Sequence, residues 1–252
     1  MTENNIKIVM KDNYKEVKSP SIIIGFPSTG LVGLIGALHI IDSMKMEYCG
    51  YLESKNFPPI VLIHDNELVL PLRIYQKGNL LVVISEISLP QDPTTSSDIA
   101  ITITNWVKIL DPEFLIILRG NPVENRMNID IPNCYGLGVS KKLNSIVKKS
   151  ECELMNHGII SGIDAILLWE ALKQDLPAIT LAADAFPQLP DPGASAVLLE
   201  KLNKILNLNI DSAKLLENAE DLRIKMRDTM RNTSTLQKGL QNKESQLPPM
   251  YG

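Results

Sequence analysis

Residues 19–41 restrict the fold more than any other part of the sequence, because the segment SPSIIIGFPSTGLVGLIGALHII contains no Asp, Glu, Lys or Arg. An uncharged run of this length is long enough to cross a bilayer as a single helix. Its middle, residues 25–30, is however a cluster of turn-forming residues, which separates a strand-length piece at residues 21–26 from a helix-length piece at residues 31–43. The sequence therefore predicts a buried strand, turn and helix in place of a transmembrane helix.

The two pieces show the periods that distinguish strands from helices. Ile22, Ile23 and Ile24 form a β-branched run that is typical of a strand covered on both faces. The following piece carries apolar residues at helical spacing, and Ser28 or Thr29 is available as its N-cap. Together they predict one βα unit.

A period of two replaces the helical period after Met46 and indicates a set of strands. Turn signals at Asp65-Asn66 and at residues 77–79 indicate that hairpins connect these strands. The predicted strands of this set occupy residues 48–52, 60–64, 68–75 and 80–87.

Strands and helices then alternate along the chain. Ser96, Ser97 or Asp98 is predicted to cap a helix that extends to Leu110. A looser region rich in Asn, Gly and Pro follows at residues 119–150. The predicted strands are at residues 114–118, 152–154 and 178–183, and the predicted helices are at residues 140–149, 163–173 and 191–206. Alternation over this length predicts a three-layer α/β/α sandwich.

The last part of the chain has a different pattern. Apolar residues recur at three-four spacing within a predicted helix at residues 211–231, but they cover too few heptads for a coiled coil. We expect this helix to pack on its own domain or on a sister subunit, and we expect the polar chain from Asn232 onward to be disordered. The predicted division is a core domain at residues 1–207, a helical extension at residues 208–237 and a flexible tail at residues 238–252.

Composition argues against several classes of protein. The chain has 252 residues, a net charge of −4 and a pI near 5.5, so no general attraction to nucleic acid or to an anionic membrane is expected. The cysteines Cys49, Cys134 and Cys152 have no C-x-x-C spacing, and the N-terminus lacks a signal-peptide pattern. We therefore predict no disulfide framework and a reducing, cytoplasmic location. A nucleophilic thiol at Cys134 or Cys152 has no basic neighbour at a fixed offset to support it.

The turn GFPSTGLVG at residues 25–33 lies between a predicted strand and a predicted helix, where helix N-termini bind anions. It lacks the lysine of a phosphate-binding P-loop, and its glycine spacing differs from the G-x-G-x-x-G of dinucleotide-binding folds. We expect the glycines to permit a tight turn and close helix packing. The alternative is a phosphate-binding loop in an enzyme of nucleoside phosphorylase or hydrolase type.

The remaining polar residues do not form a complete site by their spacing. His39, His64 and His157 have no metal-ligand partner at helical or loop spacing, so no metal site is predicted. Glu86 and Asp164 lie where strand ends of an α/β sheet could bring them together, and they would serve the enzyme alternative.

Five stretches, taken in order, resemble the proteasome assembly chaperone 2 family, particularly its archaeal members, over about residues 18–230. They are GFPSTGLVG at 25–33, NFPPI at 56–60, ILRG at 117–120, HGIISG at 157–162 and LPDPGASAVLLEKL at 189–202. One departure is Gly193-Ala194-Ser195, where the family pattern has Arg-Ala-Ala after Pro-Asp-Pro. This difference removes support for any role that needs an arginine there.

The resemblance implies a phosphorylase/hydrolase-like α/β fold without established catalytic residues or cofactor, and therefore a binding protein that is not an enzyme. It also implies homo-oligomers, tetrameric or pentameric, that associate with the α subunits of the core proteasome and assist ring assembly or opening. A passive scaffold that only docks a paralogous chaperone is a third interpretation.

The chain ends in LPPMYG after a polar stretch. Met250, Tyr251 and Gly252 match the pattern of a hydrophobic residue, tyrosine and any terminal residue, called HbYX, by which proteasome activators insert their C-termini between neighbouring α subunits. This likeness implies that the three residues bind the partner, whereas the alternative is that they are spare length. Pro248 and Pro249 favour an extended backbone before them.

Overall fold

The computed structural model describes residues 6–64, 66–90 and 92–217, together with residues 224, 226–228, 231 and 235. Its strands, in chain order, are β1 (Lys7–Met10), β2 (Ser21–Gly25), β3 (Glu47–Glu53), β4 (Leu62–His64), β5 (Glu67–Val69), β6 (Leu72–Lys77), β7 (Leu80–Ser85), β8 (Phe114–Pro122), β9 (Cys134–Gly138), β10 (Glu153–Leu154) and β11 (Ala178–Ala185). Its helices are α1 (Val32–Met44), α2 (Pro93–Ile109), α3 (Lys141–Lys149), α4 (Ile163–Lys173), α5 (Pro192–Leu206) and α6 (Ala213–Glu217).

A nine-stranded mixed sheet forms the centre of the structure, in the order β1-β3-β6-β7-β2-β8-β11-β9-β10. The four central strands, β7, β2, β8 and β11, are parallel. On one side β6, β3 and β1 continue the sheet by antiparallel pairing. On the other side β9 pairs antiparallel with β11, and β10 pairs parallel with β9. Strands β4 and β5 form a separate antiparallel hairpin.

Helices cover both faces of the sheet, which confirms the predicted three-layer α/β/α sandwich. Helices α1, α3 and α5 contribute to one hydrophobic core, and helices α2 and α4 contribute to the other. Ile23 belongs to the first core, whereas Ile22 and Ile24 belong to the second, because successive side chains of a strand point to opposite faces. All three side chains are completely buried, as a strand covered on both faces requires.

The predicted N-caps of α1 and α2 are wrong. A short 3₁₀ turn at Thr29–Leu31 separates β2 from α1, and neither Ser28 nor Thr29 caps that helix. The Ser28 hydroxyl instead accepts a hydrogen bond from the backbone N–H of Gly120, at 3.4 Å. Helix α2 begins earlier than expected, because Pro93 occupies its first turn and the Asp92 carboxylate accepts a hydrogen bond from Thr95 N–H at 2.7 Å.

Two predicted strand boundaries also differ. The single strand predicted at residues 68–75 is divided into β5 and β6 around Pro71, whose nitrogen carries no hydrogen to continue a ladder. Strand β9 lies within the region that the sequence marked as loose. Its Gly136 and Gly138 lower its strand propensity, yet a Cβ at either position would lie within 2.6 Å of a side chain of α3. The two glycines that make this strand hard to predict from the sequence are therefore the residues that allow α3 to pack on it.

The end of the described chain is anchored to α5, whose predicted start and end are close to those observed. The Asp191 carboxylate caps this helix at Ala194 N–H. The side-chain amide of Asn203 donates to Ile210 C=O at 2.8 Å and accepts from Ile210 N–H at 3.1 Å, which fixes the segment before α6. Most of the helix predicted at residues 211–231 beyond α6, and the whole predicted tail, lie outside the described residues. The domain boundaries therefore stay predictions.

No helix in the part of the chain that the structure describes is both long and apolar enough to cross a membrane. The uncharged run at residues 19–41 contains β2, the 3₁₀ turn and most of α1, as predicted.

Candidate functional site

Polar and charged side chains, most of them buried, lie where the parallel strands β7, β8 and β11 end, and we call this region the carboxyl edge. It contains Glu86 after β7, Arg119 and Asn121 in β8, Asp184 in β11 and Asp191 before α5. In open α/β sheets this edge is where ligands usually bind.

The glycine turn at residues 25–33 is packed tightly against β8. A Cβ added at Gly33 would lie 2.1 Å from Leu118 O, and one added at Gly120 would lie 2.0 Å from Thr29 O. Gly30 has a φ of +63°, a left-handed conformation that glycine adopts without strain. These contacts agree with the packing interpretation of the glycines, because the backbone of the turn lies directly against the backbone of the strand.

Glu86 is held by two cationic or potentially cationic side chains. Arg73, on β6, forms an ion pair with its carboxylate, and the two side chains are only 2% and 9% exposed. The Nε2 atom of His64 lies 3.2 Å from the same carboxylate oxygen. Burial lowers the pKa of Arg73. The Glu86 carboxylate is therefore one half of a buried ion pair that joins the end of β7 to β6.

Asp164, at the start of α4, has a different partner. Its carboxylate lies 3.5 Å from Nε of Arg119, in an environment that is almost closed to solvent. Burial raises the pKa of Asp164 to about 6, against the opposing effect of the Arg119 charge. Glu86 and Asp164, the two carboxylates of the enzyme alternative, are thus each paired with a different arginine.

Asp184 is the centre of a polar cluster beside these pairs. Its Oδ1 accepts a hydrogen bond from the Asn121 side chain at 2.7 Å, and its Oδ2 accepts one from the Asn133 side chain at 3.1 Å. The Tyr135 hydroxyl lies 3.5 Å from Oδ2. A buried carboxylate requires such donors, and here amides from β8 and from the segment before β9 supply them.

A cavity of about 640 Å³ opens next to this cluster. Arg119, Asn121 and Tyr135 line it from β8 and β9, and residues 153–160 line it from β10 and the segment that follows β10. His157 is one of the residues that line this cavity. In the described residues no group of three or more His, Cys, Asp or Glu side chains could hold a metal ion.

Asp191 ties together three parts of the carboxyl edge. Its carboxylate, which is completely buried, accepts hydrogen bonds from Arg126 Nε at 2.8 Å and Nη2 at 3.2 Å. It also accepts from the backbone N–H groups of Phe186 and Ala194. The backbone N–H of Asp191 donates to Gly30 O at 2.8 Å, which links this cluster to the glycine turn. The sequence identified Asp191 only as the start of a helix, because its arginine partner is far away in the chain.

Cys134 and Cys152 are neighbours, a relation that their spacing did not predict. Their Sγ atoms are 3.1 Å apart, both residues are buried and neither is in a disulfide. Parallel pairing of β9 with β10 places Tyr135 opposite Glu153, so the cysteine before each of these residues reaches the same level. The signal that could have found the pair is a strand, helix and strand unit with a cysteine at the start of each strand.

Large apolar side chains are exposed at several places on the described surface. Ile63 and Leu68 are direct cross-strand neighbours in the β4–β5 hairpin, and each is 73% exposed. Trp169 and Leu172 on α4 are also exposed. Adjacent exposed apolar residues are a feature of surfaces that contact other proteins.

The residues predicted to bind the partner, Met250, Tyr251 and Gly252, lie outside the described residues. Their role therefore stays a prediction.

Comparisons with known proteins agree on one family. The sequence profile of the PAC2 family matches residues 22–230. The crystal structure of Pyrococcus furiosus PbaA, an archaeal homolog of proteasome-assembly chaperone, aligns with a TM-score of 0.84 and 32% sequence identity, covering 92% of this chain and 99% of that one.

Two further proteins are similar over most of their length. The crystal structure of P. furiosus PbaB, an archaeal proteasome activator, aligns with a TM-score of 0.74 and 23% identity, covering 89% of this chain and 98% of that one, which is a likeness of fold. The uncharacterized protein MJ0106 of Methanocaldococcus jannaschii is 28% identical over 213 residues, which is 84% of this chain and 86% of MJ0106.

Proposed function

This chain belongs to the PAC2 family, and from that membership we propose that it is a proteasome assembly chaperone or an ATP-independent activator that binds the α ring of an archaeal core proteasome. Met250, Tyr251 and Gly252 are the proposed contacts with the α subunits. The observation that carries the proposal is the 32% identity to PbaA over 92% of the chain, joined to a terminus of the HbYX pattern. In this proposal the protein is a cytoplasmic homo-oligomer without catalytic activity.

The chemistry of the last three residues suits capture in a pocket. Gly252 supplies a terminal carboxylate for a lysine or for backbone N–H donors of the partner, and Tyr251 supplies a large ring with one hydroxyl. Met250 supplies a flexible apolar side chain that fits irregular contacts. Pro248 and Pro249 restrict the backbone to extended conformations, which lowers the entropy lost on insertion.

The reach of the proposed tail suits a tethered contact. From Lys238 the chain has about 15 residues to its end, which span at most about 50 Å and on average about 20 Å. A single tail of three ordered residues would bind weakly. Several tails on one oligomer raise the overall affinity by about 10² to 10⁴ where their spacing matches the pockets of the ring.

The described surface supports association between copies. Ile63 and Leu68 present adjacent apolar side chains to solvent on a small hairpin. A paralogous chaperone could use the same kind of surface. The proposed order of events is therefore oligomer formation by the globular part, followed by binding of several tails to one α ring.

The test is co-purification of the full-length protein with archaeal core particles. Three variants are compared with the native chain: Tyr251→Ala, a deletion of residues 250–252, and Gln246→Ala as a matched control in the same polar tail. We expect Tyr251→Ala and the deletion to reduce the bound fraction by at least about tenfold, because an aromatic anchor typically dominates such contacts. Gln246→Ala should bind as the native chain does. Undiminished binding by the deletion variant contradicts the proposal.

Peptidase rate measured on the same samples separates the possible roles. An activator accelerates hydrolysis of small peptides by purified core particles, and Tyr251→Ala removes the acceleration. An assembly chaperone instead increases the yield of complete rings from separate α subunits without changing that rate. A passive scaffold forms oligomers and does neither, which would contradict both parts of the proposal.

A further inference from the structure

The thiols of Cys134 and Cys152 lie in direct contact, at a distance close to that of a disulfide bond. Their Sγ atoms are 3.1 Å apart. A disulfide bond is about 2.05 Å long, so closure requires the two sulfur atoms to approach by only about 1 Å. Both residues are free cysteines, and they are 6% and 5% exposed.

The local fold explains why the two thiols meet. Strand β9, helix α3 and strand β10 form a unit in which the two strands are parallel neighbours, with Tyr135 opposite Glu153 and Leu154 opposite Gly136. Cys134 begins the first strand, and Cys152 directly precedes the second. The N–H of Cys152 also donates to Val147 O, at the end of α3, which holds the second thiol under that helix.

The two thiols differ in acidity. The hydrogen bond from Cys134 lowers the pKa of Cys152 to about 7 despite its burial, and the charges of Lys201 and Lys204 act in the same direction. The pKa of Cys134 is raised, because of its hydrogen bond with Cys152 and because it is buried. A thiolate is the reactive form of cysteine, so Cys152 is the nucleophile of the pair and Cys134 is the resolving thiol.

The third cysteine provides an internal comparison. Cys49 is completely buried on β3, in the core that α2 and α4 cover, and its thiol donates to the backbone carbonyl of Ile74 at 3.4 Å. Burial raises its pKa to about 11. An oxidation that needs only a cysteine would modify all three residues. An oxidation that needs a second thiol nearby would modify Cys134 and Cys152 and leave Cys49 unchanged.

From this geometry we propose that Cys134 and Cys152 are a peroxide-reactive dithiol that closes into an intramolecular disulfide between β9 and β10. The Cys152 thiolate attacks one oxygen of hydrogen peroxide, which breaks the O–O bond, forms the sulfenic acid of Cys152 and releases hydroxide. The Cys134 thiol then attacks that sulfur, forms the S–S bond and releases the hydroxyl group, which leaves as water with the proton of the thiol. The two sulfur atoms together lose two electrons, and the peroxide gains them.

The size of the oxidant and the position of the bond follow from the structure. A small peroxide can reach thiols that are about 5% exposed, whereas a bulky disulfide reagent is hindered. Strand β10 is an edge strand of two residues, and it leads directly into residues 155–160 of the cavity wall. The bond therefore fixes a weakly held edge of the sheet, and a small dithiol reductant that reaches it restores the free thiols by exchange.

The experiment uses the full-length protein, treated with hydrogen peroxide, denatured in an alkylating reagent and examined by intact mass and by non-reducing peptide mapping. We expect a mass about 2 Da lower before alkylation, alkylation of Cys49 alone, and a linked peptide that contains Cys134 and Cys152. Dithiothreitol added before denaturation should restore alkylation of all the cysteines. The melting temperature of the oxidised protein should rise, because the added link restricts the unfolded chain.

Variants test the assigned roles. Cys134→Ser should accumulate the sulfenic acid of Cys152, which dimedone traps, whereas Cys152→Ser should form neither the sulfenic acid at that position nor the bond. Cys49→Ser is the matched control and should form the bond as the native chain does. Full alkylation of all three cysteines after peroxide treatment overturns the proposal, as does a linked peptide that joins two chains. Both of these contradicting outcomes are measured on the native protein, so they do not depend on whether a variant folds.

Discussion

Arg126→Met tests whether the cluster around Asp191 holds the carboxyl edge together. The Asp191 carboxylate is completely buried, and the substitution removes both of its hydrogen bonds from the guanidinium while leaving those from Phe186 N–H and Ala194 N–H. Loss of one partner of a buried ion pair costs about 3 to 5 kcal/mol. Because two backbone donors remain, we expect a loss at the lower end, about 3 kcal/mol.

The measurement is urea unfolding followed by circular dichroism, at one protein concentration because the proposed oligomer formation would contribute to the apparent stability. With a slope of about 2 to 3 kcal/mol per M, the midpoint should fall by about 1 M. Lys173→Met is the matched control. It removes a lysine from an exposed ion pair with Glu170, an N–O distance of 2.6 Å, and should cost at most about 0.5 kcal/mol.

A double variant, Arg126→Met with Asp191→Asn, separates the charge from the packing. It removes the unpaired buried carboxylate, so it should be more stable than the sum of the two single losses predicts. If Arg126→Met lowers the urea midpoint no more than Lys173→Met does, the ion pair between Arg126 and Asp191 does not stabilise the carboxyl edge. Strict additivity of the two single losses would lead to the same conclusion.

Three further predictions concern other parts of the fold. The raised pKa of Asp164, about 6 against an ordinary 3.8, means that the native state binds its proton more tightly than the unfolded state. The contribution of this group is therefore present below pH 4 and lost as the pH rises through 6, so between pH 4 and pH 7 the native protein should lose about 2 to 3 kcal/mol relative to Asp164→Asn in chemical unfolding. Gly33→Ala should destabilise the protein by about 1 to 3 kcal/mol because of its backbone clash, whereas Gly36→Ala in the same helix, with its nearest contacts at 3.8 Å, should be neutral or stabilise it by up to about 1 kcal/mol. Asn203→Ala should lower the free energy of unfolding by about 1 to 2 kcal/mol and increase amide exchange at Ile210, because it removes both side-chain hydrogen bonds to that residue.

Local sequence patterns predicted the bounds of those helices and strands in which the apolar spacing and the flanking residues agree. The predicted bounds of α4 are confirmed at Ile163–Lys173, and those of β2 and α5 agree within a residue. In these elements the apolar spacing and the flanking turn or cap residues indicate the same structure. Strand β9 was missed because Gly136 and Gly138 are poor strand formers, and only the packing of α3 on them makes glycine necessary.

Non-local pairing accounts for what the sequence could not predict at the candidate site. Arg126 and Asp191 are 65 residues apart, and Asn121 and Asp184 are 63 apart. No local period relates such residues, and they meet only because β8 and β11 are adjacent in the sheet. The resemblance to a known family identified the stretches that contain Arg119 and Asp191, but not the side chains that they contact.

The strand order has a consequence for how the protein is made. Among the strands that the structure describes, β9 and β10 join the rest of the sheet only through β11, which is synthesised after both of them. A ribosome that has released residues up to 177 therefore carries a nascent chain in which the edge of β8 is open and the unit from 134 to 154 has nothing to pair with. Until Ala185 leaves the exit tunnel, that open edge is the part of the chain that a cellular holdase would have most reason to shield.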